Sequence, residues 1–240
     1  TAESEIEITG EGYAPVGTLS RAGRPVTAED EAALRELALA ALLCRDSTLR
    51  EVDGVWHVDG DPTEGALIAL AMKAGLDPVL VARETPRVDV IPFESEHRFM
   101  AVLHHDHAEH GLIVVKGAPE RLFAMCARER VGRGTRPFRA ASWHERMTAI
   151  AERGQRVLAL ATRRVPPGQR ALCFADVEQG LTLLALVGLV DPPRSEAIQA
   201  VARCQASGVR VKMITGDHAL TARAIARTLG LANPTRVLTG

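Results

Sequence analysis

Four short stretches of this sequence hold residues whose types and spacing could do chemistry. Lys116-Gly117-Ala118-Pro119-Glu120 closes an apolar run and enters a helical pattern. Lys116 brings a cation to the end of a strand, Gly117 leaves room for close approach, and Pro119 suits a first helical turn. A strand-end lysine is most often a solvated charge. Ile91-Pro92-Phe93-Glu94-Ser95 precedes Arg98-Phe99, and a ring in the place of Phe93 can stack on a flat heterocycle, although rings are more often core residues. In Asp61-Pro62-Thr63-Glu64, Glu64 supplies a carboxylate acceptor, or completes a capping box with Asp61. Met213-Ile214-Thr215-Gly216-Asp217 ends an apolar run before a helix. A hydroxyl, a glycine and a helix N-terminus suit a phosphate; the plainer reading is a turn capped by Asp217.

The elements that must position these residues follow from periodicity. Thr27 to Asp30 resembles a helix start with Thr27 as its cap, and Leu34, Leu37, Ala38, Ala41 and Leu42 keep helical spacing. A second helix is expected from Asp61-Pro62 to about Ala74, stopped by Gly75. Val88–Ile91, Phe99–His104 and Leu112–Val115 read as antiparallel strands. Helices are predicted near 119–128 and 142–153, with a strand at Val157–Thr162. From Leu181 the pattern alternates: strand 181–190, helix 195–206, strand Val209–Ile214, helix 219–229, which predicts a parallel βαβα segment. The expected fold class is therefore α+β, an antiparallel sheet flanked by helices, followed by a partial α/β segment. The boundary falls between about Gly180 and Arg194, where Pro192-Pro193 stands.

Composition limits what such a molecule can do. The 240 residues are 46% apolar and 25% charged, ordinary for a globular chain with a real core. A net charge of −1 argues against a nucleic-acid partner. The longest apolar run, Leu181–Val190, is about half of what a membrane span needs. Cys44, Cys126, Cys173 and Cys204 form no CxxC pair, so they read as reduced, packed thiols rather than a zinc site. His104, His105, His107 and His110 crowd one expected hairpin tip; solvated side chains are the plainer reading there than a metal site.

Seven motifs then occur in order: Thr9-Gly10-Glu11-Gly12-Tyr13, Asp61-Pro62-Thr63-Glu64-Gly65-Ala66-Leu67, Pro92-Phe93, Lys116-Gly117-Ala118-Pro119-Glu120, Arg156-Val157-Leu158-Ala159-Leu160-Ala161, Asp191-Pro192-Pro193-Arg194 and Thr215-Gly216-Asp217. Together they resemble the cytoplasmic loop of P-type cation-transporting ATPases, in the group that includes calcium and sodium/potassium pumps. The resemblance implies a nucleotide-binding domain over 1–186 and part of a haloacid-dehalogenase-like phosphorylation domain over 187–240. It implies that Phe93 stacks on adenine, Lys116 and Gly117 line the adenine pocket, and Glu64 accepts the adenine amino group with Thr63 beside it. Arg98 and Arg156 would meet the phosphates, and Thr215, Gly216 and Asp217 would face the γ-phosphate.

Two motifs of that family, Asp-Lys-Thr-Gly-Thr and Gly-Asp-Gly-x-Asn-Asp, are missing from the sequence and are expected upstream of Thr1 and beyond Gly240. Ser95 stands where some members carry a basic residue. The expectation is a piece that binds ATP without hydrolysing it, holds no metal of its own, and works with Mg²⁺ in a full pump. Its partners would be the nucleotide and the remaining phosphorylation, actuator and transmembrane domains. The parent would sit in a membrane with this soluble part in the cytoplasm, and Ca²⁺ is the first expectation for the ion. The competing reading is a soluble haloacid-dehalogenase-type phosphatase, which would need an aspartyl nucleophile after an N-terminal strand.

Overall fold

A computed structural model describes residues 1–190, 193–215, 219–233 and 238. The chain divides into two compact units, Thr1–Ala140 with Leu158–Val187, and Ala141–Val157 with Gly188–Gly240.

The elements run in this order: β1 (Glu7–Ile8), β2 (Leu19–Arg21), β3 (Arg24–Pro25), α1 (Ala32–Leu43), β4 (Thr48–Val52), β5 (Val55–Asp59), α2 (Pro62–Lys73), α3 (Pro78–Glu84), β6 (Arg87–Glu94), β7 (Phe99–His105), β8 (Gly111–Gly117), α4 (Pro119–Met125), β9 (Cys126–Val131), β10 (Gly134–Pro137), α5 (Ala140–Glu152), β11 (Arg156–Val165), a 3-10 turn (Phe174–Asp176), β12 (Leu181–Leu189), α6 (Ser195–Ala206) and α7 (Ala219–Thr228). Seven strands form one sheet in the order β10-β9-β12-β11-β8-β7-β6. Strands β6, β7, β8 and β11 are antiparallel neighbours. This is the expected antiparallel sheet flanked by helices.

The centre of the sheet is the core. Every residue of β7 is buried, and Ile113, Val114, Val115, Leu160 and Ala161 are excluded from solvent. Burying a side chain of this size contributes about 1.5–3 kcal/mol. Side chains alternate across a strand, so the registers Met100↔Lys116 and Val102↔Val114 put Met100, Val102, His104, Val114 and Lys116 on one face. Helices α1 and α2 cover it: the Cys44 thiol contacts the Met100 carbonyl, and a ring nitrogen of His104 reaches the Leu43 carbonyl at 2.8 Å. The buried face of α1 includes Leu34, Leu37, Ala38, Ala41 and Leu42, the residues in helical register.

Several expectations need correction. Helix α1 starts at Ala32 with Glu31 at its cap position. Thr27 instead closes a local turn, its hydroxyl bonded to the Asp30 carboxylate and to the Asp30 N–H. Helix α4 ends at Met125, and the chain turns directly into a β9–β10 hairpin that apolar periodicity did not announce. His104 and His105 are not at a solvated tip: they end β7, buried to 4% and 3% exposure. The tip begins at Asp106, which accepts the N–H groups of Ala108 and His110.

In the second unit, helices stand at 195–206 and 219–228 as expected, but Val209–Ile214 forms no strand. A parallel strand depends on neighbours and on covered faces; here Val209 is 54% and Ile214 98% exposed. The parallel partner of β12 is β9, inside the seven-stranded sheet. The α6 helix has no buried residue, whereas α7 buries Thr221, Ala222 and Ala226, with the Thr221 hydroxyl donating to the Gln155 carbonyl at 3.0 Å.

Candidate functional site

The site begins at the first turn of α2. Asp61 caps that helix, its carboxylate accepting the N–H of Thr63 at 2.7 Å and of Glu64 at 3.2 Å, and Pro62 follows at the first position. The reciprocal half of a capping box does not form, because the Asp61 N–H donates to the Ser47 hydroxyl instead. The Glu64 side chain is therefore available for another task. It points into the sheet, 8% exposed, and forms an ion pair with Lys116 near the end of β8, 7% exposed. Oε2 of Glu64 accepts three further bonds, from the N–H groups of Asp46 (2.9 Å) and Ser47 (2.7 Å) and from the Ser47 hydroxyl (2.6 Å).

A charge in such a place is tolerated only when its partners replace water. Burial by itself raises the Glu64 carboxyl; Lys116, Ser47 and the Asp46 N–H outweigh it and hold the group down to about 2. Glu64 is thus a carboxylate at every physiological pH. Beside it, burial pushes the Cys44 thiol up to about 12 despite the neighbouring Lys116, which makes it an inert packing group.

Other motif residues are structural supports of this centre. A Cβ on Gly65 would stand 2.7 Å from Val58 and 2.9 Å from the Tyr13 ring, so the glycine lets both pack against α2. Lys73, at the end of α2, donates to the Thr9 carbonyl at 2.9 Å and ties the Thr9-Gly10 turn to the helix. Gly117 has a similar role: a Cβ there would lie 2.5 Å from the Arg98 carbonyl and 2.7 Å from Cβ of Phe99. Its proximal need is the close passage of β7 beside β8.

The sheet brings Phe93 and Lys116 to one end. Glu94, Phe99, Gly117 and Ala159 form one row across β6, β7, β8 and β11. Phe93 and Lys116 each stand one residue from that row. Two strand spacings separate their strands, roughly 10 Å. Phe93 lies where the β6–β7 register shifts, and the residue is 58% exposed. Arg98 is exposed and adopts φ +58°, a left-handed conformation uncommon for a non-glycine residue, while its carbonyl accepts the Ala118 N–H. Thr63 is half-buried beside Glu64.

Arg156, which opens β11, and Thr215 belong to the second unit. Gly216 and Asp217, like Asp191 and Pro192, lie outside the described residues.

Two groups near this end were not anticipated. Ser47 carries no local signal; it is a small hydroxyl residue after an apolar helix, and its importance comes from Glu64, 17 positions away. On the other face of β7, Phe99 stacks edge-on with Phe174 (6.1 Å between centroids), His97 packs on Phe174 (4.7 Å), and the Arg121 guanidinium sits 5.5 Å over the Phe99 ring.

The histidine segment shows no metal geometry. Among the described residues, no three His, Cys, Asp or Glu side chains are arranged to hold an ion. His104 is fixed between the carbonyls of Leu43 and Thr85, and burial lowers its pKa despite them. His110 pairs with Asp106 at 2.9 Å, and His105 faces Glu109.

Comparison with known proteins adds two findings. A family model described as "P-type ATPase, cytoplasmic domain N" matches residues 33–196. The chain is 41% identical to the cation-transporting ATPase pma1 of Synechocystis over 94% of its length, 40% identical to the probable cation-transporting ATPase F of Mycobacterium tuberculosis over 100%, and 33% identical to a calcium-transporting ATPase of Bacillus subtilis over 93%. It spans about a quarter of each relative: 25%, 27% and 25% respectively.

Proposed function

Because this chain belongs to the P-type cation-transporting ATPases, in the part described as cytoplasmic domain N, we propose that it binds ATP at the end of the sheet where Phe93, Lys116 and Glu64 stand. The observation that carries the reading is the pairing of opposites there. An exposed aromatic ring in a chain with few aromatics lies at the same end of the sheet as the buried Lys116–Glu64 ion pair, whose carboxyl is held down to about 2. The ring offers a face for adenine, worth about 1–3 kcal/mol per stacked base. Glu64 offers an acceptor for the adenine amino group and Thr63 stands beside it; Lys116 and Gly117 line the pocket. Arg98 and Arg156 are the cations proposed for the phosphates.

In the whole protein we infer that this site delivers the γ-phosphate of Mg²⁺-bound ATP to an aspartate outside this chain, and that the transfer drives a cation across a membrane. Thr215, Gly216 and Asp217 are the residues proposed to meet the γ-phosphate, in a haloacid-dehalogenase-like phosphorylation domain that residues 187–240 enter after a nucleotide domain of residues 1–186. That placement gives this region a cytoplasmic location in a membrane pump and makes the remaining phosphorylation, actuator and transmembrane domains its partners. Ca²⁺ is the first candidate ion, in keeping with the name of the Bacillus relative.

The chain by itself is expected to bind ATP with a dissociation constant on the order of 0.1–1 mM, roughly 4–5.5 kcal/mol, and to release no phosphate. Equilibrium dialysis with ATP tests this. Binding in that range, lost in Phe93→Ala, supports the site; equal binding by Phe93→Ala removes it.

A further inference from the structure

The carboxylate at the centre of the site is held by a residue that no motif contains. We propose that Ser47 is the positioning residue of the adenine pocket: it seats Oε2 of Glu64 so that Oε1 is the oxygen left facing Lys116 and the base. This deepens the ATP reading above and rests on it.

The geometry is specific. Ser47 is 2% exposed and meets Oε2 twice, through its N–H at 2.7 Å and its hydroxyl at 2.6 Å, while the Asp46 N–H adds a third bond at 2.9 Å. Three donors fill the acceptor capacity of that oxygen. Oε1 carries the Lys116 ammonium and, among the described residues, no further donor. An amino group arriving from a ligand is thereby directed to Oε1, beside the lysine.

The hydroxyl of Ser47 also accepts the Asp61 N–H at 2.8 Å. One side chain therefore sets both the start of α2 and the rotation of a carboxylate one turn along it. Its own loop is fastened on two sides. Arg87 pairs with Asp46 at 2.7 Å. Gly60, at φ +120°, comes so close that a Cβ would lie 2.3 Å from the Ser47 hydroxyl oxygen. The space around that oxygen is closed to a larger residue at position 60.

Adenine and hypoxanthine differ where this matters. Adenine presents an amino donor at C6, hypoxanthine a carbonyl acceptor. A carboxylate with Oε2 already taken up accepts from the first at Oε1 and repels the second, and a site that pairs a buried polar group discriminates strongly against the analogue that leaves it unpaired. Removing the hydroxyl leaves two amide donors on Oε2 but frees the carboxylate to turn.

The test compares ATP and ITP titrations of the 240-residue chain and its Ser47→Ala variant, followed by NMR. The unaltered chain should prefer ATP. In Ser47→Ala, ATP should bind about ten-fold more weakly, equivalent to about 1.4 kcal/mol, with ITP unchanged within two-fold. Equal weakening of ATP and ITP would reduce Ser47 to a structural residue and overturn the proposal. So would an undiminished preference for ATP.

A second readout needs no variant. In the unaltered chain, ATP should shift the Ser47 amide resonance and ITP should not; ATP bound with Lys116 shifted and Ser47 unmoved overturns the proposal. If the unaltered chain binds neither nucleotide, the ATP reading itself fails, an outcome separate from loss of Ser47's role alone.

Discussion

The two compact units treat their awkward groups in opposite ways. In the first, the awkward group at its centre is a charge, and it is buried with its partners supplied: Glu64 has Lys116, two backbone N–H groups and a hydroxyl. In the second, the awkward groups are apolar, and they are left in water: Ile214 is 98% and Val209 54% exposed, and α6 buries nothing. Over-determination of a buried charge makes a region rigid, because each partner lost costs the full desolvation of what remains. An apolar segment without cover has no such tie and opens at little cost.

Hydrogen exchange should show the largest contrast. Amides of Met100–Leu103 and Val114–Val115, buried in β7 and β8, should be protected at least a thousand-fold more than amides of residues 210–214. Comparable protection of the two sets would break the comparison.

The buried pair should show the next largest effect. Glu64→Gln leaves Lys116 buried with its charge uncompensated, and should lower stability by about 3–5 kcal/mol in urea denaturation. Adding Lys116→Met to Glu64→Gln should restore part of the loss; a double variant as unstable as the sum of the single ones would mean the two groups act independently. The pH dependence has a definite sign. The Glu64 carboxyl is held near 2, below its ordinary value of 4.5. Its contribution is therefore complete above about pH 4.5 and is lost as pH falls toward 2. Unfolding of the unaltered chain should steepen in that window relative to Glu64→Gln.

A smaller loss is expected for Gly117→Ala. The added methyl would meet backbone at 2.5 Å, and overpacking of this kind costs about 1–3 kcal/mol. A variant as stable as the parent would return Gly117 to a purely ligand-facing role. The smallest effect belongs to Phe93→Ala. With 58% of the residue in solvent, thermal unfolding should move by no more than the equivalent of about 0.5 kcal/mol, although nucleotide binding is lost. A large drop in stability would mark the ring as a core residue.

Much of this was legible in sequence where the cause is local. Asp61 followed by Pro62 announced the start of α2, and short apolar runs announced β6, β7 and β8. What was not legible was decided at a distance. Glu64 looked like half of a capping box because its neighbours in sequence allow one; Ser47, 17 residues earlier, takes the Asp61 N–H instead. His104 looked like part of a solvated tip, yet its ring is held by the Leu43 carbonyl, 61 residues away. Val209–Ile214 has the composition of a strand, but a strand exists only where another pairs with it. The family motifs pointed to Lys116 and Glu64; their direct contact is a tertiary fact that spacing does not contain.

The central claim is that Phe93, Lys116 and Glu64 form one adenine site on the end of the sheet, and an NMR titration of this chain with ATP tests it most directly. At millimolar ATP, resonances of Phe93, Lys116 and Glu64 should shift together along one binding isotherm, with ADP giving nearly the same pattern. Shifts confined to other residues, or shifts at Phe93 without Lys116 and Glu64, would contradict it.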